Sequence, residues 1–93
     1  MILLNTSFFF APEVVDGGKE WLECKYLPAL TCASATAPEM FKVVAPYADD
    51  VVTFAIHAYF KTEDDVYKWL DSAPEAPYGE ASLSMPSLLD RLI

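Results

Sequence analysis

Positive charge is scarce in this chain, and so are the side chains that bind metals. Six Lys and Arg stand against 14 Asp and Glu, a formal charge of -8 over 93 residues. Phosphate backbones are bound by clustered Lys and Arg, so this balance argues against nucleic acid as a partner. It argues equally against an anionic membrane surface; the acidity reads as a solubility device. The one histidine, His57, and two cysteines, Cys24 and Cys32, come without a CxxC pair, a poor basis for a metal site. The pair Gly17-Gly18 lacks the GxGxxG spacing of a phosphate-binding loop. Neither a metal nor a cofactor is expected. No apolar run reaches the roughly 18 residues of a transmembrane helix. The opening MILLNTSFFF has no basic head and is interrupted by Asn5, Thr6 and Ser7, so it does not read as a signal peptide. A cytoplasmic location follows by default, with both thiols reduced and both cysteines buried or half-buried as small side chains.

Hydrophobic residues are abundant, at 54%, which fits a folded core rather than disorder. The length predicts one domain, residues 1–93. A chain this short buries only about 60–65% of its unfolded surface, so a partner subunit would add to its stability.

Alternation sets the first strand, ILLNTSFFF (2–10): Ile2, Leu4, Thr6, Phe8 and Phe10 fall on one face, Leu3, Asn5, Ser7 and Phe9 on the other. Ala11-Pro12 ends it. Asp16 is positioned to cap a first helix whose apolar stripe runs through KEWLECKYLPAL (19–30), with a disturbance at Pro28. TCASATAP (31–38) reads as a loop. EMFKVVAP (39–46) reads as the second strand, ended by Pro46, and YADD (47–50) as a turn holding Asp49 and Asp50. VVTFAIHAYF (51–60) is the third strand. TEDDVYKWLDS (62–72) is the second helix, with Thr62 and Asp65 in a capping box and a buried stripe of Val66, Trp69 and Leu70. After a Pro/Gly-containing loop (73–82), LSMPSLLDRLI (83–93) opens as a fourth strand; beyond Pro86 it fits a helical turn as well. The order β-α-β-β-α-β is the split βαβ, or ferredoxin-like, pattern: an α+β fold with two helices on one face of an antiparallel sheet.

The helices are expected over the greasier face, made by the even set of the first strand and by Val52, Phe54, Ile56, Ala58 and Phe60. The opposite face then carries Asn5, Ser7 and Phe9 with Thr53, His57 and Tyr59, and no element is left to cover it. An uncovered apolar face marks an interface or a ligand groove, and two such faces can pack about 10 Å apart. A homodimer through this face is therefore expected. His57 would lie between the sheets as an interface histidine bonded to Asn5, Ser7 or Thr53. Alternatively it would serve as a general base, since imidazole holds or releases a proton near neutral pH.

The strand NTSFFF, the segment EWLECKYLPAL and the run VTFAIHAYFKTEDDVYKWL resemble a small bacterial family of unknown function within the dimeric α+β barrel superfamily. Its members pair two ferredoxin-like units sheet to sheet. The resemblance spans residues 2 to about 72, and Tyr26-Leu27-Pro28 stands where the family ends its first helix. His57 and Ala58 replace a glutamine and an aromatic of the family pattern. The wider superfamily includes cofactor-independent monooxygenases, lactone isomerases and haem enzymes. Its implied interior here is Asn5, Ser7, Thr53, His57 and Tyr59; a lone histidine is a weak basis for haem ligation.

Two functional expectations follow. The first is a homodimeric binding or interaction module. The second is a small-molecule enzyme of the cofactor-free monooxygenase or isomerase kind, with His57, Asn5 and Tyr59 as catalytic candidates. Ser7, Thr53 and Phe9 would then contact a small apolar or aromatic ligand.

Overall fold

Strict alternation in residues 2–10 builds the centre of the molecule. In the computed structural model, which describes residues 1–44 and 51–90, β1 (Ile2–Phe10) alternates buried and half-buried side chains along its whole length. It pairs antiparallel with β3 (Val52–Phe60) on one side and β4 (Ser82–Asp90) on the other. The short β2 (Glu39–Lys42) pairs antiparallel with β3, giving the order β2-β3-β1-β4. This four-stranded antiparallel α+β arrangement is compatible with a ferredoxin-like fold. The expected second strand is cut short at Lys42, with one further rung from the Val43 N–H to the Thr53 carbonyl at 3.0 Å. Pro46, the 47–50 turn with Asp49 and Asp50, and residues 91–93 lie outside the described residues.

The first helical path departs most from expectation. A 3-10 turn (Pro12–Val14) leads into α1 (Val15–Trp21), a π-helical turn (Leu22–Tyr26) and α2 (Leu27–Ala33) without a break. Its α-helical part starts at Val15, ahead of the expected Asp16 cap, and it runs on to Ala33 through residues expected in a loop. Asp16 is not the cap; it lies in the first turn, where a carboxylate favours the helix N-terminus. The π turn answers Pro28. A proline has no N–H to give the carbonyl four residues back and its ring presses on that group. Here the Leu27 N–H donates to the Leu22 carbonyl, five residues back, so the helix widens just before the proline and continues. The buried stripe is Leu22, Tyr26 and Leu30. Cys24 and Cys32 fall away from it and are exposed, which corrects their expected burial.

The second helix, α3 (Glu63–Ser72), is capped as its sequence dictates: the Asp65 N–H donates to Thr62 Oγ1 at 3.2 Å. Val66 and Trp69 are buried, but Leu70 is 37% exposed, because its side of the helix looks past β1 toward the uncovered edge. Both helices lie over the even face of the sheet, with a core of Leu4, Phe8, Phe10, Ile56, Phe60 and Val66 among others. Aromatic edges stitch the layers, with Phe8 and Tyr26 ring centroids 4.8 Å apart and Tyr26 and Trp69 5.4 Å apart. The last segment is a strand as far as Asp90, Pro86 included. β4 is an edge strand, the position where a missing N–H is tolerated. Among the described residues, no helix is long and apolar enough to cross a membrane.

Candidate functional site

The helix-free face is where the expected site residues stand, and the register fixes their order. Asn5 lies opposite His57 on one side and Ser87 on the other, while His57 also lies opposite Glu39. Glu39, His57, Asn5 and Ser87 thus form one polar row across all four strands. Tyr59 pairs with Leu3 one step along, Ser7 lies between Ala55 and Met85, and Phe9 pairs with Thr53 at the far end. Tyr59 and Thr53 are six residues apart on β3, roughly 20 Å in an extended strand, so the six residues share a face and not a pocket. Asn5, His57 and Ser7 are neighbours; Thr53 and Phe9 stand apart from Tyr59.

The His57 ring is half-buried and packs on the Phe41 ring, 5.1 Å between centroids. Asn5 Oδ1 is enclosed and accepts no hydrogen bond, so the expected bond from His57 to that oxygen is not made. Among the described residues, no three His, Cys, Asp or Glu side chains gather in a way that could hold a metal ion.

Around this row the face is apolar. Leu83, Met85 and Leu89 of β4 are 58%, 55% and 55% exposed, and Phe41 and Tyr59 are exposed as well. In β4 the large apolar side chains up to Met85 point away from the helices, while Ser82 and Ser84 face the helix side. That pattern was readable in LSMPS, but the residues beyond Pro86 also fit a helical turn, and the signal was lost in that ambiguity.

A second concavity lies on the helix side and was not foreseen. The helices cover β1 and β3 and leave β4 bare. The segment after α3 crosses back toward β4, with Ala73, Ala76 and Tyr78 packed on the core. Between them is a cavity of about 580 Å³. Thr6, Phe8 and Tyr26 form its floor, Asp71 and Glu75 line one wall, and Ser84 the other. Burial raises the pKa of the Tyr26 phenol, and the polar groups of Thr6 and Trp69 beside it act in the opposite sense. The Trp69 indole N–H is sealed at this point and lacks a partner in hydrogen-bond geometry.

Compared with protein-family models, curated proteins and solved structures, the chain matches none.

Proposed function

We propose that this protein is a homodimeric binding module whose two copies close their helix-free sheet faces on each other, as in a dimeric α+β barrel. The observation that carries this reading is the orientation of β4, which turns Leu83, Met85 and Leu89 to the side with no helices. A strand folding for a lone monomer would bury such residues, because roughly 25 cal/mol is gained per Å² of apolar area removed from water. Charge supports the same reading. In a chain of formal charge -8, Glu39 is the single carboxylate among the described residues of this face. Interface cores are depleted of charge in this way, and a second copy can approach here without facing the acids of the helices. In plan the face measures roughly 500 Å², and side-chain relief brings it toward the ~800 Å² per partner of a stable interface.

Native mass spectrometry together with sedimentation equilibrium tests the reading. The expected species has twice the 10.3 kDa of the chain. A monomer throughout the micromolar range would overturn it.

A second reading rests on one geometric fact, the placement of His57 between Glu39 and Asn5 in adjacent strands. An imidazole between a carboxylate and an amide can take and return a proton, and closing the face would seclude it with a small apolar or aromatic ligand. That is the arrangement of a cofactor-free isomerase or monooxygenase. His57→Ala tests it: activity on a candidate substrate unchanged by the substitution eliminates this mechanism.

A further inference from the structure

An unpaired sheet edge is a row of free N–H and C=O groups on which another chain can add a strand, and natural edges are closed by shortness, charge, a bulge, a cover or a proline. At one edge of this sheet β2 is four residues long and carries Glu39 and Lys42. At the other, β4 is nine residues long, keeps an unbroken register with β1, and has no charged residue from Ser82 to Leu89. Every residue from Leu83 to Leu89 is exposed. Of the usual closures, β4 has the proline: Pro86, at its middle.

The ladder fixes which way the nitrogen of Pro86 points. The Ala11 N–H donates to the Ala81 carbonyl at 2.9 Å. These two residues continue the register in which Phe10 lies opposite Ser82. Opposite residues of an antiparallel pair alternate between hydrogen-bonded and non-hydrogen-bonded. Leu83, Met85, Ser87 and Leu89 therefore bond to β1, while Ser82, Ser84, Pro86, Leu88 and Asp90 turn their backbone groups to the free edge. The Ser82 N–H is already given to the Gly79 carbonyl. Among the described residues the edge thus offers donors at Ser84, Leu88 and Asp90. The gap at Pro86 leaves Ser84 and Leu88 roughly 13 Å apart.

We propose that Pro86 is an edge guard: it closes β4 to strand addition by a second copy of the chain, and so leaves self-association to the helix-free face. The first half holds for a monomer or a dimer alike; the second rests on the dimer reading. Without the proline, the run SLSMPSLL (82–89) is an uncharged stretch alternating serine with large apolar side chains. Low charge and no proline are the marks of segments that pair with copies of themselves. A proline in the outward phase breaks that run and costs no bond to β1.

Amide hydrogen exchange on the full chain reads the phase of the edge, and sedimentation velocity reads the species formed. In the parent the Ser84 and Leu88 amides are expected to exchange fast, and those of Met85, Ser87 and Leu89 slowly. Pro86→Thr restores an outward N–H on a residue suited to strands. It is expected to form concentration-dependent species larger than the parent's, with Ser84 and Leu88 now protected. Adding Leu88→Pro to Pro86→Thr moves the gap two residues along the same edge and is expected to return the parent's size. Four results overturn the proposal: Ser84 and Leu88 protected in the parent, which would show the edge already paired; a Pro86→Thr chain with the parent's size and exchange; larger species in which those two amides stay unprotected; or larger species that persist when the proline is moved to position 88. The parent's mass judges the dimer reading separately. A monomeric parent with the expected exchange pattern would remove that reading and leave the guard.

Discussion

Gly18 lies flat against the ring of Phe10, so that a Cβ placed on it would come within 2.8 Å of two ring carbons. Phe10 is fully buried and stacked among Phe8, Phe54 and Tyr78, so the ring has nowhere to retreat. This contact explains why a helix beginning at Val15 tolerates two glycines in succession: the close approach of helix and sheet requires the second of them.

Alanine at position 18 gains about 1 kcal/mol of helix propensity and loses about 1–3 kcal/mol to overpacking. A net loss of about 0–2 kcal/mol is expected for Gly18→Ala. At Gly17 the added carbon meets the outer end of Tyr78, its hydroxyl at 2.7 Å and Cζ at 3.4 Å, the far end of a half-buried side chain that can swing aside. Gly17→Ala is expected to shift stability by less than about 0.5 kcal/mol. Urea denaturation at one protein concentration compares the two. Equal effects would show that the Phe10 contact is not what selects the glycine.

Tyr26 gives a prediction in pH. Its folded-state pKa is raised, chiefly by burial, above the ordinary value of about 10. The folded chain therefore holds this proton where the unfolded chain has lost it, and stability falls as pH climbs past about 10. The contribution is intact below that pH and is lost as pH rises through the folded-state value. Denaturation midpoints between about pH 9 and pH 11 are expected to fall more steeply in the parent than in Tyr26→Phe, which has no proton to lose here. Parallel curves would mean that the phenol is not sealed.

Wherever one period dominated, the sequence was enough. The nine-residue alternation of β1 and the run around His57 set both faces of the sheet correctly, and Thr62 with Asp65 marked the second helix start. The expectations failed where two local rules competed. The disturbance expected at Pro28 is there, in the π turn just before it, but the helix runs on to Ala33 through residues that read as a loop, and no short-range rule foretells that accommodation. Pro86 suggested a helical turn, yet a strand edge tolerates proline equally well. Leu70 kept its helical spacing, but burial needs a facing element, and β4 has no helix above it. The same bare edge explains why the cavity was missed: its floor comes from β1 and the π turn, its walls from α3 and β4, and such an assembly has no signature along the chain. The site candidates Asn5, His57 and Ser7 are neighbours because register is set by alternation; the separation of Tyr59 from Thr53 is plain once both are counted along one strand.

The helix-free face predicts a contrast between two neighbours on β4. Leu89 points to that face and Leu88 to the helix side, and both are exposed. In a dimer closed sheet to sheet, Leu89→Asp buries an unpaired charge and is expected to cost about 3 kcal/mol of association, more than a hundredfold in Kd. Leu88→Asp is expected to leave the dimer intact. Sedimentation equilibrium reads both. Dissociation by Leu88→Asp instead would place the interface on the wrong side of the sheet.

Asn5 sets what the polar row costs the fold. Its Oδ1 is enclosed within the chain itself without a partner, a condition that costs about 1–3 kcal/mol. A second copy laid on this face meets an oxygen already sealed from the surface, so the cost is carried by the isolated chain and by the dimer alike. In the Leu89→Asp background, Asn5→Val removes the orphan acceptor and adds a β-branched side chain suited to a central strand. It is expected to raise monomer stability by about 1 kcal/mol. In the parent it is expected to leave the dimer dissociation constant within about threefold of its value, because no bond across the interface is lost. Denaturation of the monomeric background and the dimer dissociation constant of the parent give the two numbers. A dimer weakened well beyond that would show that the amide is partnered across the interface, and the polar row through His57 would then be a contact of the dimer rather than a cost of the fold.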